Sequence, residues 1–229
     1  MIESQRSKLE RTAAITRILE ETQGEPHWKG ESDPLDSLVR TLLSQSTNDN
    51  NRDLAYERLR ERFPTWRDVM EAPREEVADA IRPAGLANQK SERLIAMLRW
   101  IEAEFGRLDL DFLHEMPTEE AFALFTKVKG IGVKTMAVVL MFACGRDVFP
   151  VDTHVHRIAR RLGLVPDKTD AVKTYRLMAP LVPPHKSYSL HMNLLEFGRK
   201  ICTARKPKCL ECPLYDLCFW GEKPALDQE

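Results

Sequence analysis

The residues best suited to chemistry fall in the second half of the 229-residue chain. Four of its five cysteines, Cys202, Cys209, Cys212 and Cys218, lie within seventeen residues as C-x6-C-x2-C-x5-C, while Cys144 stands alone in an apolar run. Residues 1–12 are polar and charged rather than a secretion signal, so this crowding suggests metal ligation before disulfides. Four thiolates so close together can enclose one metal centre. Structural zinc usually draws on two C-x2-C knuckles, and only one is present. A cubane iron–sulfur cluster, whose irons each take one thiolate, accommodates the longer gaps more comfortably. On spacing alone cluster, zinc and unligated thiols all remain open. Arg205, Lys206 and Lys208 sit inside the first ligand loop, and five basic residues against one acidic across 196–208 make a patch suited to phosphate. Each of these cations taken singly reads as ordinary solvated charge.

A second group begins at Lys129-Gly130-Ile131-Gly132-Val133-Lys134-Thr135, between the amphipathic stretch 121–128 and the apolar run 136–143. Gly130 and Gly132 allow positive φ and can expose consecutive N–H groups at a helix start, a natural phosphate seat; alone, they equally describe a plain helical hairpin with a glycine cap. Lys134 falls in the first turn of an otherwise apolar helix. There a cation meets the positive end of the helix dipole and is expected to lose hydration, which disfavours the ammonium form. A neutral amine is a nucleophile able to form a Schiff base, whereas a snorkelling lysine is the plainer reading. Further along, Val151-Asp152-Thr153-His154 opens another helix, with Asp152 placed either as its N-cap or as a carboxylate that stabilises positive charge on a reacting sugar.

These residues need a scaffold, and the periodicity is helical almost throughout. Leu35, Leu38, Val39, Leu42 and Leu43 give the clearest apolar stripe, entered through Pro34. Helices are predicted over 7–21, 49–62, 74–81, 89–105, 118–128, 133–143, 152–162, 169–181 and 187–200, joined by short connections rich in Pro or Gly. No strand pattern of comparable length occurs. No window approaches the roughly 18 apolar residues of a membrane span, so no membrane partner and a cytoplasmic location are expected. The formal net charge of −1 argues against a generally basic nucleic-acid coat. The balance is uneven, however: residues 1–36 carry eight acidic and five basic side chains, and 121–163 carry two acidic and seven basic.

Taken together, Gly130-Ile131-Gly132-Val133-Lys134-Thr135, Pro150-Val151-Asp152-Thr153-His154 and the four-cysteine pattern resemble the endonuclease III branch of the helix-hairpin-helix DNA glycosylases. Gly85-Leu86-Ala87-Asn88-Gln89-Lys90 is similar to that branch's G-L-x-N-x-K loop. The likeness runs from about Leu35 to Cys218. It implies an all-α fold of two helical lobes with a DNA-binding cleft between them: a six-helix barrel over 27–146, and a lobe of 1–26 with 147–229 that carries an iron–sulfur cluster. It further implies a monomeric base-excision-repair glycosylase with AP lyase activity, acting on oxidised pyrimidines in duplex DNA. Lys134 would be the attacking amine, Asp152 the essential carboxylate, and Cys202, Cys209, Cys212 and Cys218 the ligands of a 4Fe–4S cluster. Leu86 would be the wedge in the base stack and the Gly130–Gly132 amides a phosphate seat, with His154, Arg205 and Lys208 as further DNA contacts.

The departures bear on substrate. The family's Ser-Ala-Gln becomes Ser44-Gln45-Ser46, so either a local shift restores Gln45 to the vacated base position or Ser46 occupies it. His156 stands where the branch commonly has an apolar or aromatic residue. Thr41 replaces the catalytic Glu of related adenine glycosylases, which argues against adenine excision. A mismatch uracil or thymine glycosylase, or a DNA-binding relative with feeble catalysis, are the alternatives.

Overall fold

The computed structural model describes residues 5–225, which form eleven α-helices joined by short turns; there is no strand among the described residues. The chain divides into two compact units, Gly30–Cys144 and Met1–Lys29 with Gly145–Glu229.

In the 30–144 unit the helices are α2 (Pro34–Ser44), α3 (Asp49–Arg62), α4 (Trp66–Glu71), α5 (Arg74–Ala80), α6 (Ala87–Phe105), α7 (Thr118–Phe125) and α8 (Val133–Phe142). α2 forms because its stripe is apolar and its start is capped. Leu35, Leu38, Val39, Leu42 and Leu43 are all at most 3% exposed. Asp33 accepts from the Leu35 and Asp36 amides at 2.7 and 3.2 Å, with Pro34 in the first turn. α2 packs on α3, α6 and α8, and α6 packs on α4 and α5. At the far end of α6, Trp100 meets the rings of Phe105 and Phe125 edge-on at 5.6 and 5.3 Å. α4 has no counterpart among the predicted helices. It is six residues long, too short for periodicity, and starts at a Thr65–Asp68 capping box. The helix predicted over 118–128 stops at Phe125, and Gly130 then takes φ +98°.

The second unit holds α1 (Gln5–Gln23), α9 (Thr153–Arg161), α10 (Ala171–Met178) and α11 (Ser187–Lys200). α11 packs on both α1 and α9, burying Ile15, Leu19, Val155, Ile158, Leu190, Leu194 and Phe197 in one core. Polar contacts fasten α1 to α11. Lys186 pairs with Glu20 at 3.0 Å, the Ser189 hydroxyl donates to Glu20 at 2.6 Å, and the Asn193 amide donates to the Gly24 carbonyl at 3.0 Å.

Candidate functional site

Lys134 is the second residue of α8, and the helix has no side-chain cap, so its first-turn amides are unclaimed by a capping group. The two hairpin glycines differ. Gly130 needs its positive φ, whereas Gly132 has φ −94° and ψ 175°, which any residue adopts, and nothing lies within 4 Å of where its Cβ would be. Neither backbone nor packing inside the protein therefore requires glycine at 132; an approaching ligand would use that open space. One expectation needs correcting: Lys134 is exposed, because the buried face of α8 is formed by Thr135, Met136, Ala137, Val139, Leu140 and Met141. The amine keeps its access to water, and loss of hydration does not operate there.

Two short segments of the same unit carry backbone strain. Among the described residues only Ser46, Leu86 and His185 are non-glycines with positive φ. Leu86 has φ 49° and ψ 35° and is 57% exposed, a bulky apolar side chain in a left-handed conformation and in water. Ser46, with φ 57°, is exposed in the turn after α2. Gln45, half-buried, caps that helix, and its Oε1 accepts from Arg93 at 3.4 Å. The structure thus holds the Gln45 side chain against α6 and leaves Ser46 at the turn's surface. Between the two segments lies Lys90, whose burial in the core pushes its pKa below the ordinary lysine value.

In the other unit Asp152 caps α9, Oδ1 accepting from the Val155 amide at 2.8 Å. No hydrogen bond to its second oxygen is found among the described residues. The residues around it are closely fixed. His191 donates from Nδ1 to the Pro150 carbonyl at 3.0 Å, since a carbonyl can only accept. Arg157 lies 3.1 Å from His154 Nδ1, and a guanidinium can only donate, so the His154 ring carries its hydrogen on Nε2. Gly198 on α11 makes room for that ring: a Cβ there would stand 2.6 Å from His154 Nδ1 and 2.9 Å from His154 Cβ. His156 has a packing role. The Thr174 hydroxyl donates to the Asp170 carbonyl at 2.8 Å, so at 2.9 Å it accepts from His156 Nδ1, and burial holds the imidazole pKa below its usual value.

Cys202, Cys209, Cys212 and Cys218 line one pocket, together with Arg161, Tyr215 and Trp220. Among the described residues no three His, Cys, Asp or Glu side chains converge closely enough to ligate a single ion. Four thiols that line one pocket without converging on a single ion suit a polynuclear cluster better than one zinc. Burial pushes the Cys212 thiol up to about 11, so a thiolate there needs the cationic charge of a metal. α9 braces the cysteine loops. Arg157 donates to the Gly198 and Cys202 carbonyls at 3.0 and 2.7 Å. Arg161 donates to Cys202 Sγ at 3.3 Å and to the Thr203 and Ala204 carbonyls at 2.8 and 3.1 Å. Arg205 is exposed, and Lys208 is exposed with Glu211 3.7 Å away. Sequence reasoning counts Arg157 and Arg161 only as charge; their i, i+4 spacing on one helix is the available signal.

Residues 39–184 match the profile of the HhH-GPD superfamily base excision DNA repair proteins, and residues 202–218 match the iron–sulfur binding domain of endonuclease III. The chain belongs to the HhH-GPD superfamily, in its endonuclease III branch. This endonuclease III relative is 34% identical over 188 residues to the endonuclease III of Thermotoga maritima, covering 82% of this chain and 84% of that one. It is 38% identical over 200 residues to a putative DNA glycosylase of Arabidopsis thaliana, covering 82% of this chain and 68% of that one. A solved trapped endonuclease III–DNA covalent intermediate is similar at TM-score 0.80 and 25% identity, covering 94% of this chain and 97% of that one. The endonuclease III iron–sulfur match identifies a 4Fe–4S cluster as the family member's cofactor.

Proposed function

We propose that this chain is a base-excision-repair DNA glycosylase with AP lyase activity, removing oxidised pyrimidines from duplex DNA through a Schiff base on Lys134. The observation that carries the reading is the accessible amine of Lys134 beside the uncapped start of α8, in a chain similar to an endonuclease III trapped covalently on DNA. A damaged base is swung out of the stack. Lys134, once it has given up a proton, forms a bond from Nζ to C1′ as the base departs with the glycosidic electron pair and takes up a proton. The sugar ring then opens to a protonated Schiff base, which acidifies C2′–H; loss of that proton expels the 3′ phosphate by β-elimination. The second oxygen of Asp152 offsets positive charge developing on the sugar and relays protons.

Around that chemistry, the open face of Gly132 and the first amides of α8 seat a phosphate. Leu86 wedges the stack and Gln45, rather than Ser46, fills the vacated position. His154 offers Nε2–H, and Arg205 and Lys208 add phosphate contacts. We assign the 30–144 unit as the family's six-helix barrel. Cys202, Cys209, Cys212 and Cys218 hold the 4Fe–4S cluster, which supplies a structural or DNA-sensing element.

Borohydride trapping tests the assignment. With duplex DNA carrying thymine glycol, the wild-type protein should give a covalent adduct that Lys134→Ala abolishes. Lesion cleavage without an adduct, or an adduct that persists in Lys134→Ala, would refute the Schiff-base assignment.

A further inference from the structure

Lys90 is 2% exposed, so an ammonium group sits inside the 30–144 unit, and its side-chain partners among the described residues are two carbonyls. A charge taken out of water must recover its hydration as hydrogen bonds, and a methionine or leucine would fill such a core position at lower cost. Nζ donates to the Leu43 carbonyl at 2.8 Å and to the Ala84 carbonyl at 2.7 Å. Both acceptors are helix ends. Leu43 lies in the last turn of α2, where the Thr47 amide bonds Ser44 instead, and Ala84 closes the 3-10 turn Arg82–Ala84. Terminal carbonyls lack an intrahelical partner and carry partial negative charge, so one cation satisfies two of them.

The segments on the C-terminal side of the two carbonyls give this tie its meaning. Beyond Leu43 come Ser44, Gln45 and Ser46; beyond Ala84 come Gly85 and Leu86. The Lys90 amide also donates to the Leu86 carbonyl at 2.9 Å, so one residue brackets the exposed leucine from both sides. One turn further along α6, Arg93 donates to Gln45 Oε1, and its Cδ lies 3.6 Å from where a Cβ on Gly130 would be. Three separate segments thus meet one face of α6.

Resting on the glycosylase reading above, we propose that Lys90 is a positioning residue that fixes the spacing between Gln45 and Leu86, so that both enter the same gap in the base stack, while Arg93 keys the pair to the Gly130 hairpin. The strain at Ser46 and Leu86 is compatible with this role, because a left-handed turn keeps its shape only where its surroundings over-determine it.

A double-mutant cycle tests it. Affinity for duplex DNA with a tetrahydrofuran abasic analogue is compared with affinity for undamaged duplex in wild type, Lys90→Met, Gln45→Ala, Leu86→Ala and the Lys90→Met combinations. Lys90→Met should weaken analogue binding roughly two- to tenfold more than undamaged binding. Adding Gln45→Ala or Leu86→Ala should then cost less than it does in wild type. Additive effects, or equal losses on both duplexes, overturn the proposal and leave Lys90 a fold-stabilising residue only. A wild-type protein with no preference for the analogue overturns the glycosylase reading and this inference with it.

Should Lys90→Met not fold, Gly85→Ala reads the same link with Lys90 intact. Gly85 has φ 71° and ψ 164° with open space around it, so alanine there perturbs the backbone of that loop alone. Hydrogen exchange at the Gln45 and Thr47 amides of the DNA-free protein should accelerate in Gly85→Ala; unchanged exchange there overturns the proposal.

Discussion

Asp152 holds two roles that one substitution can separate. Its Oδ1 caps α9 through the Val155 amide at 2.8 Å, and its other oxygen is assigned to the reaction. Asparagine caps a helix about as well as aspartate, so Asp152→Asn keeps the cap and loses only the charge at the helix start, about 0.3–1 kcal/mol. Asp152→Ala loses the cap as well, about 0.5–2 kcal/mol. Domains of this class are stable by roughly 5–15 kcal/mol, so both variants remain folded at 25 °C. At roughly 2–4 °C per kcal/mol for a chain of this length, Asp152→Asn should lower Tm by no more than about 4 °C. Removing a carboxylate that stabilises the transition state should instead slow chemistry by about 10²–10⁴. The assay pairs thermal unfolding with single-turnover release of thymine glycol from duplex DNA at saturating enzyme. Asp152→Asn should show near-wild-type Tm and a collapsed rate, with Asp152→Ala less stable and equally slow. If Asp152→Asn excises within about tenfold of wild type, the carboxylate is a cap and nothing more.

Gly198→Ala should destabilise the protein by about 1–3 kcal/mol, against the small gain alanine usually brings to a helix, because the new methyl meets His154 Cβ at 2.9 Å; urea unfolding measures it. The hairpin glycines should part ways: Gly130→Ala, at φ +98°, should cost about 1–2 kcal/mol, whereas Gly132→Ala should leave stability unchanged or raised by about 0.4–1 kcal/mol yet weaken DNA binding, as titration on one duplex would detect. His156 is held neutral with its folded-state pKa below the unfolded value, so the unfolded chain takes up the proton first. Stability should therefore fall as pH drops from the ordinary histidine value, about 6.5, through the folded one, and a urea series from pH 8 to 5 should show a smaller fall in His156→Gln.

How far the sequence carries depends on what each feature needs. α2 is readable in full because its stripe, Asp33 cap and Pro34 are all local to it. α4 is not, since six residues give fewer than two turns of periodicity. The iron–sulfur segment is legible because the cysteine spacing is itself the signal, and residues 202–218 match the iron–sulfur binding domain of endonuclease III. The hydration of Lys134 is misjudged from sequence for a physical reason: even a largely apolar helix leaves one side in water, and the sequence does not say which residues face it. Lys90 shows in the sequence only as a motif letter, and its partners Leu43 and Ala84 are found only in three dimensions. The same holds for Arg157, whose acceptors lie 41 and 45 residues downstream.

The second unit is assembled from segments on either side of the 30–144 unit, which sets an order of events during synthesis. Residues 30–144 are contiguous and can pack as soon as they leave the ribosome. α1 emerges earlier and must wait, because Ile15 and Leu19 are buried only in a core completed by α11, Ser187–Lys200, and by Leu214. At about 5–20 residues per second, translation from Cys144 to Cys218 takes roughly 4–15 s. Throughout that interval the apolar face of α1 is without its native partner, and the four clustered cysteines are still being added. α1 is thus made before the 30–144 unit yet buried after it, and a nascent chain that stalls between these points would display a finished 30–144 unit and an exposed amphipathic helix that chaperones can recognise.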